Sequence, residues 1–429
     1  MAEGRIVVVG GDPVGSVMAG PAIRCYELSR ALFEAGLDVN LVAPSLSDDL
    51  PMPWTSAAWS DRETLQPIVE GAAAIVVFAP VLAENMWMAE LGVPLVVDAY
   101  DPGLLETLEA HRGRTLDEQR DWIKDATRHM VEPMKVADVV LVASERQRHL
   151  MIGVLAAVGR VEPQCSAEDP AFRSVVRVVP FGTANAVPAS SNTALRAGAG
   201  LGESAFVAFW GGGLYSWLDP LTLVDAIAQC SNHNVVAAFL AGPHPTPAVG
   251  QLPLVEVVKR RAKDLGLLGS RVVFVEEWVP YSERARWLCD ADVGVSLHQD
   301  HLETEFAFRT RMLDYLWAGL PIVCTRGDVL SEVIDRNELG FVVGYNDVAA
   351  VATALDTLAN EDALRRQERR LRLRLESDRR RWSLMAEPLV EFCREPALAA
   401  DRRNAEPVHH GLRWRLGLVV RAIQAAIRG

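Results

Sequence analysis

Two arginines open the segment FRTRMLDYLWAGLPIVCTRGD (306–326), whose pattern predicts a turn, a short helix, a Gly-Leu-Pro break and a buried strand. Arg309 and Arg311 stand at the start of this helix, where the macrodipole disfavours cations by about 0.3–1 kcal/mol. Either neighbouring carboxylates or a bound anion must offset that cost. The pairs Glu305–Arg309 and Arg311–Asp314 have the spacing for the first explanation, at about 0.2–0.5 kcal/mol each.

Three consecutive glycines form a second candidate site. Gly211, Gly212 and Gly213 follow the apolar run AFVAFW and precede a helix that we expect to begin near Asp219-Pro220. Such a loop can direct backbone N–H groups at a phosphate, although a purely structural loop is the alternative. The Lys-Ser/Thr ending of a P-loop is missing, which argues against ATP or GTP hydrolysis.

Glycines also follow the first apolar run, RIVVV. Gly10 and Gly11 begin a loop that extends to Gly20, and they would let the backbone approach a ligand closely. A plain turn between a strand and a helix explains them equally well. Their spacing differs from the G-x-G-x-x-G dinucleotide fingerprint, which weakens the case for a NAD-binding fold.

Three carboxylates lie within the second half of the run PLVVDAYD and just after it. Asp98, Asp101 and Glu106 lie where a predicted strand ends, and such a cluster could bind hydroxyl groups or act as a base. Asp101 has an alternative role, because Asp followed by Pro is also typical of a helix N-cap with proline at the first helical position.

Acidic and histidine residues surround the predicted strand VGVSL. His298, Glu303 and Glu305 follow it, at the end where parallel sheets bind ligands. Asp290 and Asp292 precede it and spell the D-x-D that some sugar transferases use for metal binding. Because they lie at the amino end of the strand, we interpret them as structural and expect no metal site.

The predicted strands and helices that would position these residues fall into two series along the chain. Apolar runs of strand length alternate with helical patterns up to about residue 182 and again from about residue 205, as in doubly wound parallel sheets. The small, polar stretch 183–204 separates the series. The sequence therefore predicts an α/β protein with an N-terminal Rossmann-like domain (1–185), a C-terminal Rossmann-like domain (186–378), a crossover helix (379–398) and a basic tail (399–429).

Composition limits the class of protein. The 429 residues carry a net charge of −13, which argues against nucleic acid as a partner. The six cysteines are scattered, as expected of buried thiols in a reducing compartment. We expect no signal peptide and no membrane-spanning helix, and hence a cytoplasmic protein.

The charge is nevertheless uneven along the chain. Residues 360–429 hold 16 Arg and 10 acidic residues, a net +6, so residues 1–359 carry −19. Within the tail, residues 411–429 place apolar side chains on one helical stripe and arginines beside it. This amphipathic helix would suit an anionic membrane surface, at the inner face of the plasma membrane, or a partner protein. Packing on the protein's own body is the alternative.

The segment LDYLWAGLPIV is similar to the E-x-x-A-x-G-x-P-V-V motif of the GT-B glycosyltransferases, and the whole chain resembles their large retaining group, glycosyltransferase family 4. WGGGLYSWLDPLTL, YDPGLLE and ASERQR look like a subgroup met in bacterial surface-polysaccharide synthesis. The resemblance implies two domains facing a cleft, with the sugar nucleotide on the C-terminal side and a glycan or lipid-linked acceptor on the N-terminal side.

The resemblance also implies roles for individual residues. The sequence differs from the family pattern at Phe306, where the first Glu of the E-x₇-E motif is expected. Glu303 or Glu305 would therefore have to take the place of that Glu. The basic pair that usually follows the glycine loop is missing near Gly213 and Leu218, and Tyr100 and Asp101 stand where some members carry a catalytic His. The implied sites are catalytic (Asp101, Glu305, Arg309, Arg311), donor-binding (Gly211, Gly212, Gly213, His298, Glu303, Asp314) and acceptor-side (Gly11, Gly20, Asp98).

The predicted function is therefore transfer of a sugar from a nucleotide donor to a growing glycan or lipid-linked acceptor, with retention and without a metal or other cofactor. A sugar-nucleotide 2-epimerase on the same scaffold is one alternative. A non-catalytic partner in a glycan-assembly complex is the other, since the motif departures at Phe306 and Gly213 could accompany loss of activity.

Overall fold

The computed structural model describes residues 4–188, 194–246 and 252–403 and contains two parallel β-sheets. The first sheet has seven strands: β1 (Ile6–Val9), β2 (Val39–Ala43), β3 (Thr55–Ala58), β4 (Ala74–Phe78), β5 (Leu95–Asp98), β6 (Val139–Val142) and β7 (Val176–Val178). Their order across the sheet is β3-β2-β1-β4-β5-β6-β7. The reversal beside β1 is the topological switch point of a doubly wound sheet.

The second sheet has six strands: β8 (Phe206–Trp210), β9 (Val235–Leu240), β10 (Val272–Val275), β11 (Val293–Ser296), β12 (Ile322–Thr325) and β13 (Gly340–Val343). They are ordered β10-β9-β8-β11-β12-β13, again with parallel pairing throughout. The predicted architecture of two Rossmann-like α/β domains is confirmed.

Helices cover the faces of both sheets. In the first domain they are α1 (Gly20–Glu34), α2 (Arg62–Val69), α3 (Ala79–Glu84), α4 (Gly103–Ala110), α5 (Leu116–Met134), α6 (Glu145–Ala157) and α7 (Pro163–Glu168). In the second they are α8 (Ala194–Gly198), α9 (Pro220–Gln229), α10 (Leu254–Asp264), α11 (Arg284–Leu288), α12 (Leu302–Phe306), α13 (Thr310–Ala318), α14 (Val329–Arg336), α15 (Val348–Ala359) and α16 (Ala363–Asp378).

The chain then returns to the first domain. The helices α17 (Trp382–Met385) and α18 (Glu387–Arg394) pack on α1, and α19 (Ala400–Arg403) packs on α7. The chain passes between the domains twice, near Thr183 and near Arg380, and backbone hydrogen bonds join the two segments. The N–H of Thr183 donates to the carbonyl of Arg380 at 2.7 Å, and its carbonyl accepts from the N–H of Trp382 at 3.0 Å. The C-terminal crossover segment therefore fastens the second domain to the first.

Sequence patterning predicted eleven of the thirteen strands among the described residues. The two exceptions, β3 and β13, lie at sheet edges. Strand β3 reads TSAA and is mostly exposed, while most of β13 is half-buried, so neither shows the continuous apolar burial of a central strand. The predicted linker also contains a short helix, α8, which the small residues around it did not indicate.

Tyr315 of α13 ties the second sheet to the loops that follow it. Its ring packs against β11 at Gly294, where a Cβ would lie 2.3 Å from the ring. Its hydroxyl accepts from the N–H of Gly211 at 2.8 Å and lies 3.1 Å from the carbonyls of Phe209 and Val295. The start of the glycine loop and the helix that carries the two arginines are thereby held in fixed register.

The two domains meet at two rims of a cleft. At one rim, the N–H of Tyr281 donates to the carbonyl of Ser16 at 2.6 Å, and the indole N–H of Trp278 donates to the carbonyl of Met18 at 3.0 Å. Both donors come from the second domain, and both acceptors lie in the loop before α1.

At the other rim, α6 of the first domain contacts the α12 region of the second. The amide of Gln147 donates to the carbonyl of Phe306 at 2.8 Å, and Arg146 donates to the carbonyl of Glu305 at 3.1 Å. Arg146 also pairs with the carboxylate of Glu332. The domains are therefore in contact on both sides of the space between them.

Residues 411–429, the amphipathic part of the predicted basic tail, lie outside the described residues, so this helix stays a prediction. Within the described part of the chain, no helix is both long enough and apolar enough to cross a membrane.

Candidate functional site

A cavity of about 210 Å³ lies between the two domains, inside the rim formed by Tyr281 and Trp278. Its walls come from the loop after β8, the first turn of α13 and the start of α1. These are the carboxyl ends of parallel strands in both sheets, the position at which doubly wound folds bind ligands. Residues predicted as donor-side and acceptor-side line it together: Gly20, Gly211, Gly212, Gly213, Arg311 and Asp314.

Arg309 is the N-cap residue of α13, and no side chain caps the helix there. Its guanidinium forms two parallel hydrogen bonds with the carboxylate of Glu303, at 2.8 and 2.6 Å, and the pair is almost completely buried. The expected pair with Glu305 does not form, because Glu305 is exposed on α12. The cation at this helix start is thus neutralised by a local carboxylate, but by one six residues away.

Arg311 has a different environment. Its guanidinium lies 4.9 Å from the ring centre of Trp210 and donates to the carbonyl of Gly213 at 2.9 Å. Its Nη1 is buried and has no hydrogen-bond partner among the described residues, and no described carboxylate lies within ion-pair distance. The expected pair with Asp314 does not form. Burial lowers the pKa of Arg311 from its usual value, because removal from water disfavours the charged form of the guanidinium.

The glycine loop runs beside this guanidinium. Gly212 has a φ of +133°, and a Cβ there would lie 3.7 Å from Nη2 of Arg311. Only glycine adopts this backbone conformation without strain. The N–H of Gly211 donates to the Tyr315 hydroxyl, whereas the N–H groups of Gly212 and Gly213 donate to no residue in the part of the chain that the structure describes. Helix α9 begins at Pro220 behind an Asp219 N-cap, as predicted.

Asp314 projects into the same cavity from one turn further along α13. Its carboxylate lies 3.3 Å from Nε of Arg284, and 46 % of its side chain is exposed. Burial raises the pKa of Asp314, while Arg284 opposes that shift. One oxygen therefore has a protein partner, and the exposed remainder of the carboxylate can accept hydrogen bonds from a ligand's hydroxyl groups.

The structure does not bring every predicted donor-side residue to the cavity wall. His298 is completely buried, with Nε2 3.1 Å from the carbonyl of Arg326. Burial, followed by the charge of Arg309, lowers its pKa well below 6.5, so the ring is neutral at pH 7. The carboxylate of Glu303 is paired with Arg309, and neither residue lines the cavity. His298, Glu303 and Arg309 are instead buried away from the cavity wall.

Asp98, predicted on the acceptor side, also has a partner that the sequence did not indicate. Arg24 of α1 is fully buried and binds both oxygens of Asp98, at 2.7 and 2.8 Å. The same guanidinium lies over the rings of Tyr100 and Phe181 and donates to the carbonyl of Val179. These contacts give Asp98 a role in holding α1 to the end of β5.

Asp101 remains available in the first domain. Helix α4 begins at Gly103 with Pro102 as its N-cap residue, so the alternative of an Asp101 N-cap does not hold. Burial and the nearby Asp98 charge raise the pKa of Asp101 to about 6. Glu106 lies next to it: burial raises its pKa, and the charges of Asp101 and Glu303 add to that shift. Glu106 therefore lies near enough to Glu303 of the second domain to be affected by its charge.

The two predicted glycines of the first domain differ in position. Gly20 begins α1 and lines the cavity, where a Cβ would lie 3.6 Å from the Tyr100 hydroxyl. Gly11 is exposed, and a Cβ there would lie 2.8 Å from the side chain of Val81. Only Gly20 therefore contributes to the cavity itself.

The two carboxylates of the D-x-D segment form ion pairs with an arginine side chain. Arg196 of α8 binds Asp290 at 2.8 Å and Asp292 at 2.7 Å, ahead of β11 and away from the cavity. This agrees with their structural interpretation. A cluster that the sequence did not indicate, Glu84 with Asp125 and His129, has ligand atoms within 4.8 Å of one another. Arg128 already bridges its two carboxylates.

The chain shares sequence and fold features with known proteins. Residues 206–361 match the family model described as glycosyl transferases group 1. No curated protein sequence matches the chain significantly. WaaG, a glycosyltransferase involved in lipopolysaccharide biosynthesis, has a similar structure at 15 % identity and a TM-score of 0.62, covering 91 % of this chain and 99 % of that one.

Two further solved structures have the same two-domain arrangement. Anabaena HepE in complex with UDP-glucose matches at 16 % identity and a TM-score of 0.63, over 91 % of this chain and 99 % of HepE. The sucrose-phosphate synthase of Thermosynechococcus elongatus matches at 17 % identity and a TM-score of 0.62, over 91 % and 98 % of the two chains.

These findings define the class of protein: the chain has the GT-B fold, with two Rossmann-like domains facing a cleft. Its second domain matches the group 1 glycosyltransferase model over residues 206–361, which supports a transferase enzyme.

The two arginines should differ in what their removal costs. Arg309→Ala leaves Glu303 buried without a partner and should lower the free energy of unfolding by about 3–5 kcal/mol. Arg311→Ala removes an uncompensated cation and should change it by about 1 kcal/mol or less. Urea unfolding of both variants measures the difference.

Glu303→Gln provides a second test of the buried pair, because it leaves the buried guanidinium of Arg309 without a negatively charged partner. It should therefore also lower the free energy of unfolding. Equal losses for Arg309→Ala and Arg311→Ala would contradict this division of roles.

Proposed function

We propose that the protein transfers a sugar from a nucleotide-sugar donor to a hydroxyl group of a lipid-linked or glycan acceptor, with retention, as a member of glycosyltransferase family 4. We propose further that it acts in the synthesis of a bacterial cell-surface polysaccharide. The family match, the fold and the relation to WaaG support this proposal.

The observation that carries the donor assignment is the environment of Arg311. A guanidinium without a described carboxylate partner lies in the interdomain cavity, between the glycine loop and the uncapped N-terminus of α13. All three features favour an anion. A nucleotide diphosphate supplies that charge in bidentate form, which suits a guanidinium. Asp314, beside it, can accept hydrogen bonds from the ribose hydroxyls.

The same groups would assist the chemical step. As the sugar–oxygen bond breaks, negative charge accumulates on the departing nucleoside diphosphate. Arg311 and the N–H groups of Gly212 and Gly213 are fixed before reaction, so they stabilise that charge without reorganisation. We propose that this suffices without a metal ion, and the D-x-D carboxylates are already bound by Arg196.

The acceptor side is assigned to the first domain. Asp101 follows β5 in the cleft and could accept a hydrogen bond from the acceptor hydroxyl. It also lines a second cavity of about 270 Å³, whose other walls are mostly apolar and come from both domains, including Leu104, Met130, Leu302 and Phe306. A carboxylate at the edge of an apolar cavity suits an amphipathic acceptor. This favours a lipid-linked acceptor over a free glycan.

We propose that residues 411–429 attach the enzyme to an anionic membrane surface where such an acceptor would lie, at the inner face of the plasma membrane. This proposal rests on the sequence of the tail alone.

Nucleotide binding should depend on Arg311. In a thermal-shift assay with UDP, GDP, ADP and dTDP, at least one nucleotide at about 100 times its Kd should stabilise the protein by about 2.7 kcal/mol, and therefore raise Tm by about 3 °C. Arg311→Ala should abolish the shift, because the diphosphate loses its main cationic partner.

Arg286→Ala is the matched control, since Arg286 is exposed on α11 and pairs with Glu283. It should retain the full shift. An Arg311→Ala variant that binds as tightly as the wild type would contradict the proposed donor site.

The pH dependence of transfer should reflect Asp101. Burial raises its pKa to about 6, so the carboxylate is ionised at pH 7.5 and becomes protonated as the pH falls through that value. If the ionised form receives the acceptor hydroxyl, kcat/KM should fall about tenfold per pH unit below the pKa.

Asp101→Asn should lose most activity at pH 7.5 and should lack this limb of the pH–rate profile, while nucleotide binding is retained. An unchanged profile in the variant would assign the titration to another group.

A further inference from the structure

A continuous chain of contacts connects the donor cavity to the first domain. Asp314 in the cavity contacts Arg284 at 3.3 Å, and Arg284 donates to the carbonyl of Tyr281 at 2.8 Å. The hydroxyl of Tyr281 donates in turn to the carboxylate of Glu27 on α1. Asp314, Arg284 and Tyr281 belong to the second domain, whereas Glu27 belongs to the first, so the last contact crosses the cleft.

Each link in this chain is restrained by packing. The guanidinium of Arg284 lies between two rings, 3.7 Å from the centre of Tyr281 and 4.6 Å from that of Trp317. Only 17 % of its side chain is exposed. A stacked guanidinium has little freedom to turn, so a shift of the Tyr281 ring must also shift Arg284. The orientation of Arg284 in turn sets where the Asp314 carboxylate points.

The far end of the chain is equally well fixed. Glu27 is fully buried, and Arg30 on the same helix pairs with its other carboxylate oxygen. The backbone N–H of Tyr281 also crosses the cleft, to the carbonyl of Ser16. Tyr281 therefore makes two hydrogen bonds that exist only while the domains are together.

We propose that Tyr281 is a positioning residue that couples closure of the two domains to engagement of the donor's ribose by Asp314. The proposal rests on the proposed function, because it presumes that a nucleotide occupies the cavity. When the domains close, Glu27 fixes Tyr281, Tyr281 fixes Arg284, and Arg284 holds Asp314 in the orientation that receives the ribose hydroxyls.

The coupling must act in both directions. A ligand that binds better to the closed form shifts the population towards it, and contacts that stabilise the closed form raise the affinity for that ligand by the same factor. Loss of the Tyr281 hydroxyl should therefore weaken nucleotide binding, because this hydroxyl holds Tyr281 to Glu27 across the cleft. A hydrogen bond to a charged group predicts a loss of about tenfold or more in affinity.

Tyr281→Phe tests this directly, since it retains the ring that stacks on Arg284 and removes only the hydroxyl. The matched control is Tyr26→Phe. Tyr26 lies in the same aromatic cluster, with its ring centre 6.2 Å from that of Tyr281, but its hydroxyl donates to the carbonyl of Pro51 within the first domain. It should therefore leave the coupling intact.

Two measurements on the full-length chain apply. Isothermal titration with UDP, GDP, ADP and dTDP gives the Kd, and small-angle scattering with and without saturating nucleotide gives the radius of gyration. For Tyr281→Phe we expect a Kd about tenfold higher and a larger radius of gyration without nucleotide. The Tyr26→Phe variant should match the wild type in both. Glu27→Gln keeps an accepting oxygen without the charge and should show a smaller loss in the same direction.

The outcomes separate this inference from the proposed function. If none of the four nucleotides binds the wild type, the proposed function is wrong, and the coupling is wrong with it. If a nucleotide binds the wild type and Tyr281→Phe with the same Kd and the same radius of gyration, the coupling alone is overturned. The Glu27→Gln variant decides in the same way should Tyr281→Phe fail to fold.

Discussion

The distribution of carboxylates around two neighbouring arginines is the constraint on which the donor site depends. Arg309 and Arg311 are two residues apart at the start of one helix, and a buried guanidinium is costly unless it is paired. Glu303 neutralises Arg309 completely, and no described carboxylate does the same for Arg311. One arginine thus fastens α12 to α13, and the other is left with its charge facing a cavity. This division is the basis on which we propose that the cavity binds an anion.

The rest of the second domain serves that arrangement. Tyr315 aligns α13 with the glycine loop, and Gly294 leaves the space for its ring. Trp210, at the end of β8, supports the Arg311 guanidinium by a cation–π contact, which partly offsets the absence of a carboxylate. The first domain closes the cavity from the other side through the loop before α1. The site is therefore divided between two domains, and its geometry depends on how they meet.

Much of the fold could be predicted from the sequence, because buried parallel strands have continuous apolar runs that need no knowledge of their neighbours. Strands β3 and β13 were missed because β3 is mostly exposed and most of β13 is only half-buried, whereas the other two edge strands, β7 and β10, keep an apolar run. The sequence also singled out the glycine loop and Arg311 by their positions and Asp314 by the family resemblance, and the structure brings all of them to one cavity. The pairing of their charges was not predicted. Local spacing suggested Glu305 as the partner of Arg309, whereas the turn between α12 and α13 brings Glu303 to it instead.

The missed contacts share a physical cause, which is distance along the chain. Arg284 reaches Asp314 across 30 residues, Arg24 reaches Asp98 across 74, and the Tyr281 hydroxyl reaches Glu27 across 254. No periodicity or helix-spacing rule relates such positions. They become neighbours only when the two sheets and their loops are assembled, so the sequence could identify the residues that carry charge but not the partners that neutralise them.

The most direct test of the central claim is a crystal structure of the protein with a bound nucleoside diphosphate. The account predicts the diphosphate in the interdomain cavity, with its oxygens within about 3.2 Å of the Arg311 guanidinium and of the N–H of Gly212 or Gly213, and the ribose hydroxyls at Asp314. A diphosphate bound elsewhere, or one in the cavity that leaves Arg311 without a phosphate contact, would contradict it.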